Sequence, residues 1–143
     1  MSWRTLFEQH ISYCADHDLR NRKQNQGKHR IDAYAQASEK SDIDAALEAD
    51  IAFHDVILAA TNNPLIPVMM SSLASAVARS RRATTALAEV RERAAHHHRL
   101  VFEAIKAGDA TGAKQAMRAH MTQTKNDILL VTKPDSSPDT AAE

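Results

Sequence analysis

Apolar residues recur every three to four positions over most of the chain, and this spacing limits what the sequence can fold into. The clearest runs are Ile43, Leu47 and Ile57; Ala94, Val101 and Ile105; and Ala113, Met117 and Ile128. A period near 3.6 residues puts such side chains on one face of an α-helix. Glycine (3) and proline (4) are scarce, and no alternation of β-branched residues competes with the helical pattern. We therefore expect an all-α fold.

Turn and capping residues divide the chain into segments. Ser41 and Asp109 are predicted N-caps, Gly108 is a predicted C-terminal cap, and the sequence Asn62-Asn63-Pro64 is a helix stop. The polar stretch 21–29, which contains Gly27, is predicted to be a loop. Predicted helices cover, in order, residues 1–20 (weakly), 30–39, 42–61, 65–82, 89–107 and 110–131, with a disordered tail over 133–143.

Four polar residues interrupt the apolar faces of three of these helices. Asp50 and His54 lie one turn apart, and His98 and His120 occupy interior positions of the last two helices. A buried unpaired carboxylate costs several kcal/mol, and a buried imidazole needs both nitrogens satisfied. One divalent ion, namely Zn, Ni, Mn or Fe, satisfies all four and leaves a position for water or a carboxylate. The alternative is an internal Asp50–His54 pair with no metal.

Bulk properties exclude several classes of protein. Eighteen basic and 18 acidic residues give a formal net charge of +0, whereas a domain that grips nucleic acid by itself normally has a basic excess. The single Cys14 excludes an internal disulfide. The sequence has no apolar run of membrane-spanning length and no signal-peptide core. We expect a cytoplasmic protein without a membrane partner.

Three local patterns resemble one known family. They are EADIAFHDVILAATNNPLI (48–66), HRLVFEAIKAGDATGA (98–113) and AMRAHM (116–121). His98 and His120 are 22 positions apart. Together they resemble the FCD domain, the C-terminal ligand-binding domain of FadR-type GntR transcriptional regulators. The resemblance anchors roughly residues 30–130. It divides the chain into a divergent N-terminal helix and loop (1–29), the FCD-like bundle (30–132) and the tail (133–143).

The resemblance implies an antiparallel bundle of about six helices with metal ligands at Asp50, His54, His98 and His120. It also implies a small organic acid at the metal, a homodimer, and DNA binding only through a winged helix-turn-helix domain. We expect this sequence not to contain that domain, since about 40 residues precede the Asp50 helix. The implied function is effector sensing for a transcriptional regulator.

Four further residues are candidates for holding the effector. Arg79 or Arg82, in preference to Arg81, is predicted to clamp a carboxylate, although a solvated face explains most such clusters. Asn63 matches the family's asparagine, and its competing interpretation is helix termination. Thr124 lies one turn after His120 and either faces the cavity or packs.

Two other functions compete with sensing. A metal-dependent hydrolase needs a general base that is not a ligand, and no residue near the ligands fits that role, so we expect no enzyme. A metal-free structural interaction module is the other alternative. A di-iron bundle is disfavoured because Asp50 is the only carboxylate expected on an interior face.

Overall fold

The computed structural model describes residues 22–61 and 63–132, with side chains from residue 25 onward. Within these ranges the chain forms six α-helices and no strand, which confirms the predicted all-α fold. The predictions for residues 1–20, Asn62 and the tail lie outside the described residues. The helices are α1 (Arg22–Glu39), α2 (Ile43–Ala60), α3 (Leu65–Ser71), α4 (Ala74–Thr85), α5 (Ala88–Lys106) and α6 (Ala110–Thr132).

The helices pack around two adjoining apolar clusters. Helix α1 packs on α2 and α5, α5 packs on α6, and α4 lies against α2, α5 and α6. The larger cluster contains Phe53, Val101 and Met117, and the smaller one surrounds Tyr34 and Ala46. Connections of two or three residues between α1 and α2, α4 and α5, and α5 and α6 are typical of antiparallel neighbours.

The caps differ from the prediction at one helix. Asp42, and not Ser41, is the N-cap of α2, and its Oδ1 accepts a hydrogen bond from the Ala45 amide at 3.0 Å. Ser41 has a φ of 55° and turns the chain out of α1 in the left-handed region. Before α6, Gly108 has a φ of 71° and Asp109 Oδ1 accepts from the Gly112 amide at 2.8 Å, as predicted.

The single helix predicted over 65–82 is wrong, because the structure has two. Helix α3 ends at Ser71 and α4 begins at Ala74. The Ser71 and Ser72 hydroxyls donate to the carbonyls of Val68 and Met69 at 2.7 and 2.9 Å, and such bonds compete with the helical ladder. The predicted break over 83–88 is also shorter than expected, since α4 continues to Thr85.

Arg91 joins the end of α4 to α5. This arginine is buried, and its Nη1 donates to the carbonyls of Thr85 at 2.8 Å and Ala86 at 3.2 Å. The last carbonyls of a helix lack intrahelical partners and carry partial negative charge. A cation from the next helix therefore caps α4 and fixes its C-terminal end.

The loop predicted over 21–29 is also wrong where the structure describes it, because α1 already begins at Arg22. Gly27 is buried in this helix, and a Cβ added there would lie 3.2 Å from Phe102 Cε2. The glycine thus permits α1 to approach α5 closely and does not mark a turn. The flanking residues Asn25, Gln26 and Lys28 are exposed, which explains why the segment has the composition of a loop.

Replacing Gly27 with leucine is expected to lower the free energy of unfolding by about 1–3 kcal/mol, because the side chain must displace Phe102. Urea denaturation followed by circular dichroism measures the change. Gln26→Leu, at an exposed position of the same helix, is the control and should stay near wild type. Equal stability of Gly27→Leu and Gln26→Leu would show that α1 does not pack on Phe102.

Candidate metal centre

The four predicted ligands come from three helices and lie together in the core. Asp50 and His54 are one turn apart on α2, His98 is on α5 and His120 is on α6. All four residues are buried, and His98 is fully inaccessible. Helical periodicity thus placed each side chain on the correct face of its helix.

The ligand atoms converge at separations that suit one ion. His54 Nε2 lies 3.3 Å from His120 Nε2, and Asp50 Oδ1 lies 3.1 Å from His98 Nε2 and 3.8 Å from His54 Nε2. Donor atoms about 2.0–2.1 Å from a shared tetrahedral ion are separated by about 3.3 Å. One nitrogen from each of the three histidines falls within a 4.8 Å cluster. This donor set fits a divalent transition metal.

Aromatic packing holds the histidine rings in place. The His98 ring centroid lies 4.6 Å from that of Phe53 and 5.2 Å from that of Tyr34. His54 and His120 stack with centroids 5.3 Å apart. Among the described residues, the Nδ1 atoms of His98 and His120 are buried without a hydrogen-bond partner. Hydrogen bonding alone therefore does not explain why these rings are in the core.

Burial and charge set the protonation that metal binding requires. Burial, reinforced for His54 by the Arg81 charge and for His120 by His98, holds the pKa values of both imidazoles well below their usual value. Burial alone would raise the pKa of Asp50, but Arg81 and the nearby His98 hold it well below its ordinary range. The site therefore offers neutral imidazoles at His54 and His120 and an ionised carboxylate at Asp50.

Arg81 contacts this site, whereas the sequence favoured Arg79 or Arg82. Its Nη1 donates to Asp50 Oδ2. Arg82 is instead exposed and pairs with Asp44 Oδ1 at 2.5 Å, and Arg79 is exposed. Position 81 lies one turn after Val77 on α4, and both residues line the same cavity. This four-residue spacing could have identified Arg81, from the sequence alone, as a residue of the cavity wall.

A cavity of about 440 Å³ opens beside the site. His54 and Arg81 contribute to its wall, together with Ser80, Thr124 and Lys125. The remainder of the wall is apolar and is formed by Leu58, Met70, Leu73, Ala76, Val77, Met121, Ile128 and Leu129.

Of the predicted effector residues, Thr124 is therefore at the cavity. Asn63 is not among its lining residues, and its Oδ1 accepts from the Leu65 amide at 3.1 Å, at the start of α3.

A second, polar cavity of about 30 Å³ touches Asp50, Arg81 and His120 from the side of Tyr34. Asp127 lines it and is buried, so the expectation of a single interior carboxylate is wrong. Arg93 Nη2 donates to Asp127 Oδ1 at 2.7 Å, and the Gln123 amide donates to its Oδ2. Asp127 lies seven residues, or two turns, after His120 on α6, and that spacing could have identified it.

Comparison with known proteins gives a consistent result. The family model described as the FCD domain matches residues 14–123. A protein named for regulation of the L-lactate dehydrogenase operon in Escherichia coli (strain K12) is 34% identical over 99 residues, which are 66% of this chain and 38% of that protein. A Shigella flexneri protein of the same name matches equally. The chain thus spans well under half the length of these relatives.

In the part of the chain that the structure describes, no helix has the length and apolar character needed to cross a bilayer.

Proposed function

This chain belongs to the FCD domain family, and on that premise we propose that it is the effector-sensing domain of a GntR-type transcriptional regulator. In this proposal it binds one divalent metal ion and a small organic acid. The observation that supports it best is the convergence of three histidine nitrogens and Asp50 Oδ1 beside a cavity of about 440 Å³. The family and the named relatives point to transcription regulation and away from an enzyme.

The metal would be held by His54, His98 and His120 through nitrogen and by Asp50 through Oδ1. Zn, Ni, Mn and Fe all accept such a donor set. When bound, the ion supplies a coordination position that the four side chains leave open, and an anionic oxygen suits that position. Phe53 and Tyr34 pack against the ring of His98 and would hold that ligand in place.

The effector would be a small organic acid in the 440 Å³ cavity. Its carboxylate would lie near His54 and Arg81, its hydroxyl or second carboxylate near Ser80 or Thr124, and its carbon chain against Leu58 and Val77. Arg79 and Arg82 are exposed, and effector binding by either of them stays a prediction. Because the relatives are named for an L-lactate dehydrogenase operon, L-lactate is the first acid to test.

The regulatory context is part of the same proposal. The sensor would act as a homodimer in the cytoplasm, and DNA would be bound through a winged helix-turn-helix domain. Effector binding would then change operator affinity. The balanced charge of the chain, +0 overall, supports a sensing role for this part and not direct contact with DNA.

Metal analysis and melting of the purified chain test this function. Chelator-treated protein is titrated with each of the four metals, and its thermal midpoint is measured with and without L-lactate and a series of other mono- and dicarboxylates. We expect about one equivalent of metal and a rise in midpoint with at least one acid that requires the metal. Failure to bind any of the four metals would instead favour a metal-free interaction bundle.

A further inference from the structure

The Asp50 carboxylate is divided between two kinds of partner. Its Oδ1 faces His98 Nε2 at 3.1 Å and His54 Nε2 at 3.8 Å, whereas its Oδ2 accepts from Arg81. Both side chains are shielded, since that of Asp50 is 9% exposed and that of Arg81 is 18% exposed. Only one oxygen of this carboxylate is therefore directed toward the histidines.

The same pairing removes the negative charge from the centre. Imidazoles bind metals as neutral rings, so Asp50 contributes the single negative charge of the ligand set and Arg81 cancels it. The neighbouring buried charges are engaged elsewhere: Asp127 is bound by Arg93, and Arg91 is bound to the α4 carbonyls. Lys125 lines the 440 Å³ cavity but is exposed to solvent. A divalent ion would consequently raise the centre from a net charge of zero to two positive charges.

A buried centre with two uncompensated positive charges is unfavourable. An anion at the open position would halve that charge. It can approach from the 440 Å³ cavity, whose wall contains Arg81 and His54. Without Arg81, the negative ligand set would already offset half of the ion's charge, and the anion would matter less.

We propose that Arg81 sets the charge of this centre so that the metal and a carboxylate bind cooperatively. The inference rests on the proposed metal site and adds a role for a residue that is not itself a ligand. The coupling is reciprocal, so the anion strengthens metal binding by the same factor by which the metal strengthens anion binding. The domain would then report the joint presence of ion and acid.

The test measures Zn²⁺ affinity by competition with a chromogenic chelator in a carboxylate-free sulfonate buffer, with and without saturating L-lactate or acetate. Free Zn²⁺ is corrected for its weak binding to each anion. For the wild type we expect at least a tenfold gain in Zn²⁺ affinity from one of the two anions. For Arg81→Gln we expect tighter Zn²⁺ binding without anion and a gain of about threefold or less.

Two further variants separate charge from geometry. Arg81→Lys keeps the charge and should keep most of the coupling. Arg99→Gln removes a positive charge from an exposed position on α5 that lines neither cavity beside the site, and it should behave as wild type. Circular dichroism checks that each variant is folded.

Two results would overturn the inference. The first is wild-type Zn²⁺ binding that neither anion strengthens, which needs no variant. The second is equal coupling in wild type and Arg81→Gln. If the Zn²⁺ affinity of Arg81→Gln were then lowered by the same factor with and without anion, Arg81 would only position Asp50. A wild type that binds no Zn²⁺ or other tested metal would overturn the proposed function as well, so the two failures are distinguishable.

Discussion

Replacing His98 and His120 together with alanine is expected to abolish stoichiometric metal binding and the stabilisation that depends on it. The two substitutions remove predicted ligands from α5 and α6 and leave only Asp50 and His54 on α2. An ion present at a thousand times its dissociation constant stabilises the fold by about 4 kcal/mol. For a domain of this size that corresponds to roughly 10–20 °C in thermal midpoint.

The measurement compares metal content and melting of apo and metal-loaded protein. The double variant should melt at one temperature under both conditions, whereas the wild type should melt higher with metal. His96→Ala is the matched control, because His96 is on the same helix as His98 but is exposed. A double variant that retains one equivalent of metal and the wild-type rise in midpoint would place the metal elsewhere.

Filling the 440 Å³ cavity is expected to weaken effector binding strongly and to leave metal binding unchanged. Val77 is half-buried on α4 and lines the 440 Å³ cavity together with Arg81 and His54. A tryptophan at this position occupies the space assigned to the carbon chain of the acid. We expect Val77→Trp to weaken binding of the active carboxylate at least tenfold, as measured by calorimetry on metal-loaded protein, with unchanged metal stoichiometry.

Val68→Trp controls for the added aromatic ring. Val68 is exposed on α3 and does not line the cavity, so this variant should bind the acid as the wild type does. If Val77→Trp also binds the acid with wild-type affinity, the effector does not use this cavity.

The inward direction of the four predicted ligands was predictable because it depends only on local geometry. Four-residue spacing on α2 and the apolar stripes of α5 and α6 give the direction of each side chain without knowledge of the tertiary structure. All four residues are buried, and His54 Nε2 and His120 Nε2 lie 3.3 Å apart. That these side chains hold one metal ion stays a prediction.

The missed residues depend mainly on tertiary contacts. Arg81 is the exception, because Val77 and Arg81 both lie within α4 and their four-residue spacing puts them on one face. Gly27 resembles a loop residue until Phe102 is seen against it. The cavities arise between helices, and no single helical pattern encodes them.

The cap that Arg91 forms on α4 has a mechanical consequence. Separating Thr85 from α5 would leave a buried guanidinium without its carbonyl partners, which is costly, so we expect that end of α4 to be the pivot of any tilt of the helix. The opposite end begins beside the exposed residues Ser72 and Leu73. The 12 residues of α4 form a lever about 18 Å long at 1.5 Å per residue. A tilt of roughly three degrees at the pivot therefore displaces Ala74 by about 1 Å.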